Sequence, residues 1–533
     1  MNKPNILFIM ADQLRYDYLG CMGHPTIKTP NIDKLAKDGV VFNHTYCQAP
    51  VCGASRMSFY TGRYVSSHGA TYNGVPLNLN EWTLGDYLRP HGYRVALSGK
   101  THMVADEQGM AKLGIDKNSD LGRLASECGF EPYWRDDGLH PDKNNDPNSE
   151  YNTYLRDNGY EGDNPWHDYA NSALGENGEI LSGWEMQYAD RPARVNAKHS
   201  ETAFTADKAI EFMEEAGDNP WCLHASFIKP HWPYVAPAPY NDMYNKDDII
   251  KSVQCESELD NAHPVYEAFT QKLESKNFSR AEVQQKIIPV YMGLITEFDA
   301  NVGRMVEYLK SSGQFENTII VITSDHGDYL GDHWLGEKAL FHDPSVRIPL
   351  IVFDPRKSAD KTRGAVIDDF VEAIDLIPTF VDWAGGNNVN HNHRLEGASL
   401  INFVNGTENK NWRPTAISEY DYAFEEPRGF LDRDVERCKI YMVRSHEYKY
   451  IYYDDYEPQL FDLKNDPNEL NDLVKSDKDK YTEILNKYEK LLFNFLKSRK
   501  VRTTITNEKV LSSSGIHIQQ GYWIGVWKSS DIN

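Results

Sequence analysis

The sequence predicts an α/β fold in which a large β-sheet is sandwiched by helices and followed by a smaller C-terminal antiparallel sheet plus helix. Three observations predict it. Short apolar runs recur along roughly the first 400 residues, each followed by a polar loop and then helical periodicity, the pattern of buried parallel strands. Four of these runs end on Asp, Lys or His. From about residue 400 the pattern changes to Tyr-rich stretches of period two, which predict antiparallel hairpins.

The elements follow in order. "NILFIM" delivers Asp12 and Gln13 at its C-terminal end. "TPNIDKLAKDGVVF" predicts a helix with Asn31 as its N-cap. "RVALSGK" delivers Lys100 and His102. Residues 104–195 are rich in Asp, Asn and Gly with weak periodicity, and predict long loops over the active face. "SETAFTADKAIEFMEEAGDNP" predicts a helix from a capping Ser200 to a stop at Gly217. "WCLHASF" is a strand followed by "IKPHWPY", which carries His231. "VYMGLITEFDANVGRMVEYLKSSG" is a long amphipathic helix. "TIIVITSDHG" delivers Asp325 and His326, and "RIPLIVF" follows as a further strand of the same buried parallel kind.

"KIYMVRSHEYKYIYYDDYEPQLFDL" then predicts the hairpins and "DLVKSDKDKYTEILNKYEKLLFNFLKSR" the closing helix. This divides the chain into a catalytic α/β domain over 1–395, an α+β subdomain over 396–500 and a tail over 501–533. The tail ends in the apolar "GYWIGVW", which predicts packing on the body or on a neighbouring subunit, hence a homo-oligomer.

The formal net charge of -23 disfavours nucleic acid and anionic membranes as partners. It also disfavours large polyanionic substrates, unless a local basic pocket overrides it. The seven cysteines are irregularly spaced with no CxxC pair, so neither a zinc ribbon nor a disulfide framework is expected, and a reducing compartment is. The apolar run from Asn5 to Met10 is too short for a signal h-region, and no stretch is long enough to span a membrane. A cytoplasmic location is the expectation.

Ligands of open α/β sheets bind outside the carboxyl ends of strands. Asp12, Asp325 and His326 place two carboxylates and an imidazole there. That set suits a hard divalent cation, calcium or manganese. An isolated "SDHG" would read as a turn with a satisfied histidine. Beside Cys52-x-x-x-Arg56 and Lys100-x-His102 it reads as one site.

The chain resembles the formylglycine-dependent sulfatases and the related phosphonate monoester hydrolases of the alkaline phosphatase superfamily. The motifs that carry the resemblance are "PNILFIMADQ", "CGASRMSFYTG", "SGKTH", "KPHWPY", "TSDHGDYLGDH", "EKALFHDPSVRIPLIV" and "QLFDLKNDPNELNDL", in the family's order. The resemblance implies a large mixed sheet of alkaline phosphatase type. It implies that a maturation enzyme oxidises Cys52 to formylglycine, although Ala54 stands where the motif Cys-x-Pro-x-Arg has proline. The aldehyde hydrates to a gem-diol; one hydroxyl, lowered in pKa by the metal, attacks and the other expels the group.

By the same resemblance Asp12, Asp325, His326 and the modified Cys52 are metal ligands. Arg56 and Lys100 hold the gem-diol, and His102 is the base that opens the hemiacetal. His231 and Lys338 bind the transferred group and assist the leaving oxygen. Gln13, where many sulfatases have a second aspartate, and Asn73 line the substrate pocket. Arg56, Lys100 and Lys338 form a small cationic pocket in an acidic protein, suited to an anionic tetrahedral group. His333 and His342 read as ordinary loop histidines.

The expected activity is hydrolysis of small anionic sulfate esters. "ADQ" is shared with phosphonate monoester hydrolases and choline-sulfatase-like enzymes, and "KPHWPYVAPAPYNDMY" and "GLITEFDANVGR" look closest to the phosphonate branch. Lys100 and His102 look like sulfatase residues, where the phosphonate branch tends to carry Tyr and Thr. Residues that do chemistry outweigh scaffold. Phosphonate monoester or phosphodiester hydrolysis is the alternative, and a catalytically dead metal-binding protein a remote one.

Overall fold

Strands form where the apolar runs predict them, and several form where no run was legible. The computed structural model describes residues 3–407 and 409–532. Its strands are β1 (Asn5–Ala11), β2 (Val40–Tyr46), β3 (Arg94–Gly99), β4 (Glu131–Arg135), β5 (Ser172–Leu174), β6 (Ile180–Ser182), β7 (Trp221–Phe227), β8 (Thr318–Ser324), β9 (Arg347–Ile348), β10 (Leu350–Phe353) and β11 (Ala365–Glu372). Nine of them make the main sheet in the order β11-β2-β10-β8-β1-β7-β3-β4, with β9 paired to β2; β5 and β6 form a separate hairpin.

Side chains of β1 alternate between two cores, as the two-residue period of a strand requires. Ile6, Phe8 and Met10 join one core, Leu7, Ile9 and Ala11 the other. The long helix Ala281–Ser311 covers the second face with Ile287, Leu294, Phe298 and Val302, and the helices Cys52–Thr61 and Leu376–Trp383 cover the first. Each such fully buried Leu, Ile or Phe contributes about 1.5–3 kcal/mol of transfer free energy.

The register sets the site. Ala11 pairs with Phe227 and with Ser324, and Gly99 pairs with Ser226. The strands β8, β1, β7 and β3 are consecutive, parallel and end level, so the residues that follow them leave the sheet along one edge.

Several expectations are corrected. "RIPLIVF" is not a parallel strand: β10 runs antiparallel to β8 and to β2. The 325–349 segment has no crossover helix to carry the chain to the opposite edge, so the chain re-enters from the edge it left. "GVVF" is not the end of a helix. The helix is Pro30–Asp38, Gly39 stops it, and Val40 opens β2. A Cβ on Gly39 would lie 2.4 Å from the Val352 carbonyl oxygen, so only glycine lets the turn pass this close to β10. The helix is entered at Thr29 with Pro30 in its first turn, while Asn31 donates from Nδ2 to Asp299 of the long helix at 2.8 Å. Residues 104–195 are not all loop: they hold the helices Glu107–Leu113, Asp120–Ala125 and Glu150–Asp157, the edge strand β4 and the β5–β6 hairpin. The Ser200 cap is observed, its side chain accepting from the Ala203 N–H.

β12 (Ala416–Asp421), β13 (Lys439–Arg444), β14 (Tyr448–Tyr453) and β15 (Gln459–Asp462) form an antiparallel sheet in sequence order. Ile440, Met442 and Ile451 continue the core of the main body, and Val443, Tyr450 and Leu460 pack on Leu485, Tyr488 and Leu492 of the helix Thr482–Lys497. Lys449, fully buried, donates to the Phe341 carbonyl at 2.8 Å and to Asp343 at 2.7 Å, tying this sheet to the loop between β8 and β10. Beyond Lys500 the tail is exposed, with Trp527 91% and Ile524 83% accessible. None of the seven cysteines is disulfide-bonded. Among the described residues no helix is long and apolar enough to cross a membrane.

Candidate active site

The four level strand ends deliver Asp12 from β1, Lys100 from β3, the loop of His231 from β7 and Asp325-His326 from β8. The helix Cys52–Thr61 points its N-terminus at the same place, and all ten of its residues are buried. No side chain of Val51 caps it. Asn73 does so from a distant loop, its Oδ1 accepting from the Gly53 N–H at 2.7 Å. A Cβ at position 53 would lie 2.9 Å from that oxygen, so this contact needs glycine. Ser55 Oγ donates to the Asp325 carbonyl at 2.6 Å and pins the helix to the end of β8.

One ligand atom each from Asp12, Cys52, Asp325 and His326 lies within 4.8 Å of the others, and all four residues are buried. Cys52 Sγ is 3.1 Å from His326 Nε2 and 3.8 Å from Asp12 Oδ1. His326 donates from Nδ1 to the Gly327 carbonyl at 2.8 Å, which aims Nε2 at the cluster. The outer oxygens are occupied: Arg56 donates to Asp325 Oδ2 at 2.8 Å and to Asp12 Oδ2 at 3.1 Å. Lys100 Nζ forms a 2.6 Å ion pair with the same Asp12 oxygen, off the hydrogen-bonding direction. Each carboxylate thus keeps its Oδ1 on the cluster side, 3.8 Å from His326 Nε2.

Such a set of two carboxylate oxygens, an imidazole nitrogen and residue 52 fits a divalent cation. The electrostatics agree. Burial alone would lower His326, but Asp325 and Cys52 outweigh it and raise it to about 9, so the centre draws positive charge strongly. Burial opposes ionisation of the Cys52 thiol, yet Lys338, Lys100 and His326 hold it well below the usual thiol range.

The second half of the site faces Cys52 across the cluster. Lys338 Nζ is 3.5 Å from Cys52 Sγ, 3.4 Å from His231 Nε2 and 3.0 Å from Gln13 Oε1. Burial, reinforced by Lys338, lowers His231 to about 4 despite Asp12, so it is neutral near pH 7. Burial would lower Lys338, but Cys52, Glu337 and Asp12 raise it, so it is charged. His231 also stacks on Trp232 with ring centroids 4.7 Å apart. His102 sits in a left-handed conformation at φ 55°, its backbone N–H donating to Asp137 Oδ1 at 2.9 Å.

A family profile described as Sulfatase matches residues 4–386. The chain belongs to the sulfatase family. A second profile, N-sulphoglucosamine sulphohydrolase, C-terminal, matches residues 331–498. Among similar proteins of this family, the multifunctional alkaline phosphatase superfamily protein PehA of Trinickia caryophylli is 30% identical over 89% of this chain and 92% of its own length. An arylsulfatase of Clostridium perfringens is 28% identical over 95% and 97%. The crystal structure of the phosphonate monoester hydrolase of Agrobacterium radiobacter superposes with a TM-score of 0.80 at 29% identity, covering 94% of this chain and 97% of that one. The fold is therefore the large mixed sheet with a C-terminal antiparallel sheet found in that superfamily, and the protein is a hydrolase of the sulfatase and phosphonate monoester hydrolase family.

The structure brings Asp12, Gln13, Cys52, Arg56, Lys100, His231, Asp325, His326 and Lys338 together. It places Asn73 at the helix N-terminus, its Oδ1 already engaged. His333 and His342 are buried and stacked at 3.9 Å, with His333 Nδ1 2.6 Å from Glu258, and belong to the support of the loop. Asp328, which no sequence motif singled out, completes this group. It accepts from Gln13 Nε2 and, at 2.7 Å, from the Tyr234 hydroxyl, which turns Gln13 Oε1 toward Lys338. Its position three residues after Asp325 in "SDHGD" was the available signal. Asp137 and Ser226, which hold the His102 backbone and Arg56, were also missed, because the only mark of either is the tertiary contact.

Proposed function

We propose that this sulfatase-family hydrolase cleaves small anionic sulfate esters. The observation that carries the reading is the convergence of four ligand-bearing residues, the buried cations Arg56 and Lys100 and the half-buried Lys338 on the N-terminus of the Cys52 helix. Asp12, Asp325, His326 and residue 52 would hold one divalent cation, calcium or manganese, which when bound supplies Lewis acidity and lowers the pKa of an attacking hydroxyl. A maturation enzyme would convert Cys52 to formylglycine, whose hydrate offers one hydroxyl for attack and another for release.

The chain's own residues do the rest. Cys52 Sγ marks where the attacking oxygen stands. The helix N-terminus and Lys338 favour the negative charge that develops opposite it, the helix by about 0.3–1 kcal/mol. Arg56 and Lys100 fix the two carboxylates. His102 is the candidate base for the second hydroxyl. His231 Nδ1 donates to the Trp232 carbonyl at 2.8 Å, so Nε2 is the acceptor for Lys338. That pair can pass a proton to the leaving oxygen.

Lys100 and His102 beside Cys52, and a neutral Gln13 in place of a carboxylate, support sulfate. The second reading, phosphonate monoester or phosphodiester hydrolysis, is favoured by one observation: the two phosphonate monoester hydrolase structures superpose at TM-score 0.80. The test is kcat/KM for an aryl sulfate and an aryl phosphonate monoester, with Cys52 conversion confirmed by mass spectrometry and Cys52→Ala as control. The sulfate should win by orders of magnitude. A faster phosphonate overturns the sulfate reading, and an unconverted thiol after co-expression with a maturase would leave a catalytically dead protein. The exposed apolar tail supports a homo-oligomer.

A further inference from the structure

His231 and Lys338 work as a pair only while the His231 ring presents Nε2 to Lys338, and that depends on its other nitrogen. Nδ1 donates to the Trp232 carbonyl at 2.8 Å. A carbonyl in that place keeps the proton on Nδ1 and leaves Nε2 to accept from Lys338 at 3.4 Å. The aim of the Trp232 carbonyl therefore decides whether the pair works.

No strand holds that carbonyl, because β7 ends at Phe227. The loop "KPHWPY" has prolines at 230 and 233, which offer no N–H. Lys229 holds it instead. Its side chain is buried under the loop, and Nζ donates to the Pro233 carbonyl at 2.6 Å, to the His231 carbonyl at 3.4 Å and to Asn171 Oδ1 at 3.0 Å. These three bonds use every N–H of an ammonium. The carbonyls on either side of Trp232 are thus drawn to one point, while the Trp232 carbonyl between them goes to the His231 ring. Asn171 is itself fixed, its N–H donating to the Trp166 carbonyl at 3.0 Å and its carbonyl accepting from the Gly183 N–H at 2.9 Å.

A buried lysine without a paired carboxylate is rare and costly. Among the described residues no carboxylate forms an ion pair with Lys229. Burial lowers it to about 8, and Glu201 and Glu297, from the helices Glu201–Ala216 and Ala281–Ser311, oppose the fall. An apolar side chain would fill the same space without that cost, so packing alone does not account for the charge.

We propose that Lys229 is the positioning residue of His231: through the His231 and Pro233 carbonyls it aims the Trp232 carbonyl at Nδ1 and so keeps Nε2 the acceptor for Lys338. The inference rests on the leaving-group role given above to His231 and Lys338, and deepens it.

Lys229→Met keeps the length of the side chain and removes its donors. Converted, metal-loaded enzyme is assayed with an alkyl and a nitrophenyl ester of whichever class, sulfate or phosphonate, it cleaves faster, and folding is confirmed by melting temperature. Lys229→Met should lower kcat for the alkyl ester by about 10–100-fold and far less for the nitrophenyl ester. In a His231→Ala background it should cost little more. A purely structural role would lower both esters alike or add to the His231→Ala loss, and either result overturns the inference. The wild type supplies a second measurement that no folding defect can obscure. Above about pH 8 a neutral Lys229 has two N–H groups for three acceptors, so kcat for the alkyl ester should fall there while that for the nitrophenyl ester stays level. Parallel profiles through that range overturn the inference. Equal losses for both esters in His231→Ala itself would overturn the leaving-group role together with this inference; equal losses in Lys229→Met alone overturn the inference and leave that role intact.

Discussion

Lys338 Nζ stands 3.4 Å from His231 Nε2, a charged donor facing a histidine that burial keeps neutral. If that pair protonates the leaving oxygen, its value depends on how much the leaving group needs a proton. His231→Ala should lower kcat by about 10²–10⁴-fold for an alkyl ester and far less for a nitrophenyl ester. Equal losses for both would remove His231 from that role. Because burial lowers His231 to about 4, kcat/KM should also fall as pH drops toward that value, where Nε2 gains a proton and can no longer accept from Lys338.

The buried cluster makes stability metal-dependent. Calcium or manganese at a hundred times its dissociation constant should stabilise the wild type by about 2.7 kcal/mol, seen as a rise in melting temperature that a chelator reverses. Asp325→Asn should lose most of that rise. An unchanged response would place the cation elsewhere.

Part of this centre is legible in the sequence. Asp12, Lys100, His231 and Asp325 each follow an apolar run, and a parallel sheet places such residues on one edge whatever its strand order. The supporting groups were not legible. Asp328 acts on Gln13 across 315 residues of chain and Lys449 on Asp343 across 106, and neither leaves a local pattern. In the fold, β4 was hidden because "EPYWR" carries two charges and a proline at an edge. The strand β2 is hidden because a single residue, Gly39, separates it from the helix before it.

Asp328 offers a test of that support. Asp328→Ala frees the Gln13 amide and should lower kcat/KM by about 10–100-fold, with Lys338 and His231 still in place. A Gln13→Ala, Asp328→Ala double variant should be little worse than either single one, since both remove the same contact. Additive losses would separate the two residues.

His224 predicts a pH dependence of folding. Burial, with Arg56 adding to it, lowers His224 from 6.5 to about 3. The folded pKa lies below the unfolded one, so this contribution is complete above 6.5 and is lost as pH falls toward about 3. His224→Gln lacks it. The stability gap between wild type and variant should therefore narrow by about 1.4 kcal/mol per pH unit between pH 6.5 and 4, read from urea melts. A constant gap would mean that His224 is protonated in the fold.

The tail predicts an assembly. The 533-residue chain should run as an oligomer in light scattering at micromolar concentration, and a chain ending at Lys500 should run as a monomer. A monomeric 533-residue chain would leave the exposed Trp527 and Ile524 without a partner in another copy.

Because β10 turns back against β8, Asp325, His326, Asp328 and Lys338 all ride on one segment whose two stems are neighbouring strands, with Leu350 opposite Thr323 and Phe353 opposite Ile320. Such a segment is a cassette. It can be exchanged with that of a relative, or lengthened, by cutting at two adjacent points of the sheet, provided the short strand β9 keeps its pairing with β2. Replacing the face of the site that carries Lys338 then becomes a grafting problem within residues 325–349, with the buried Lys449 contact as an anchor any graft has to keep.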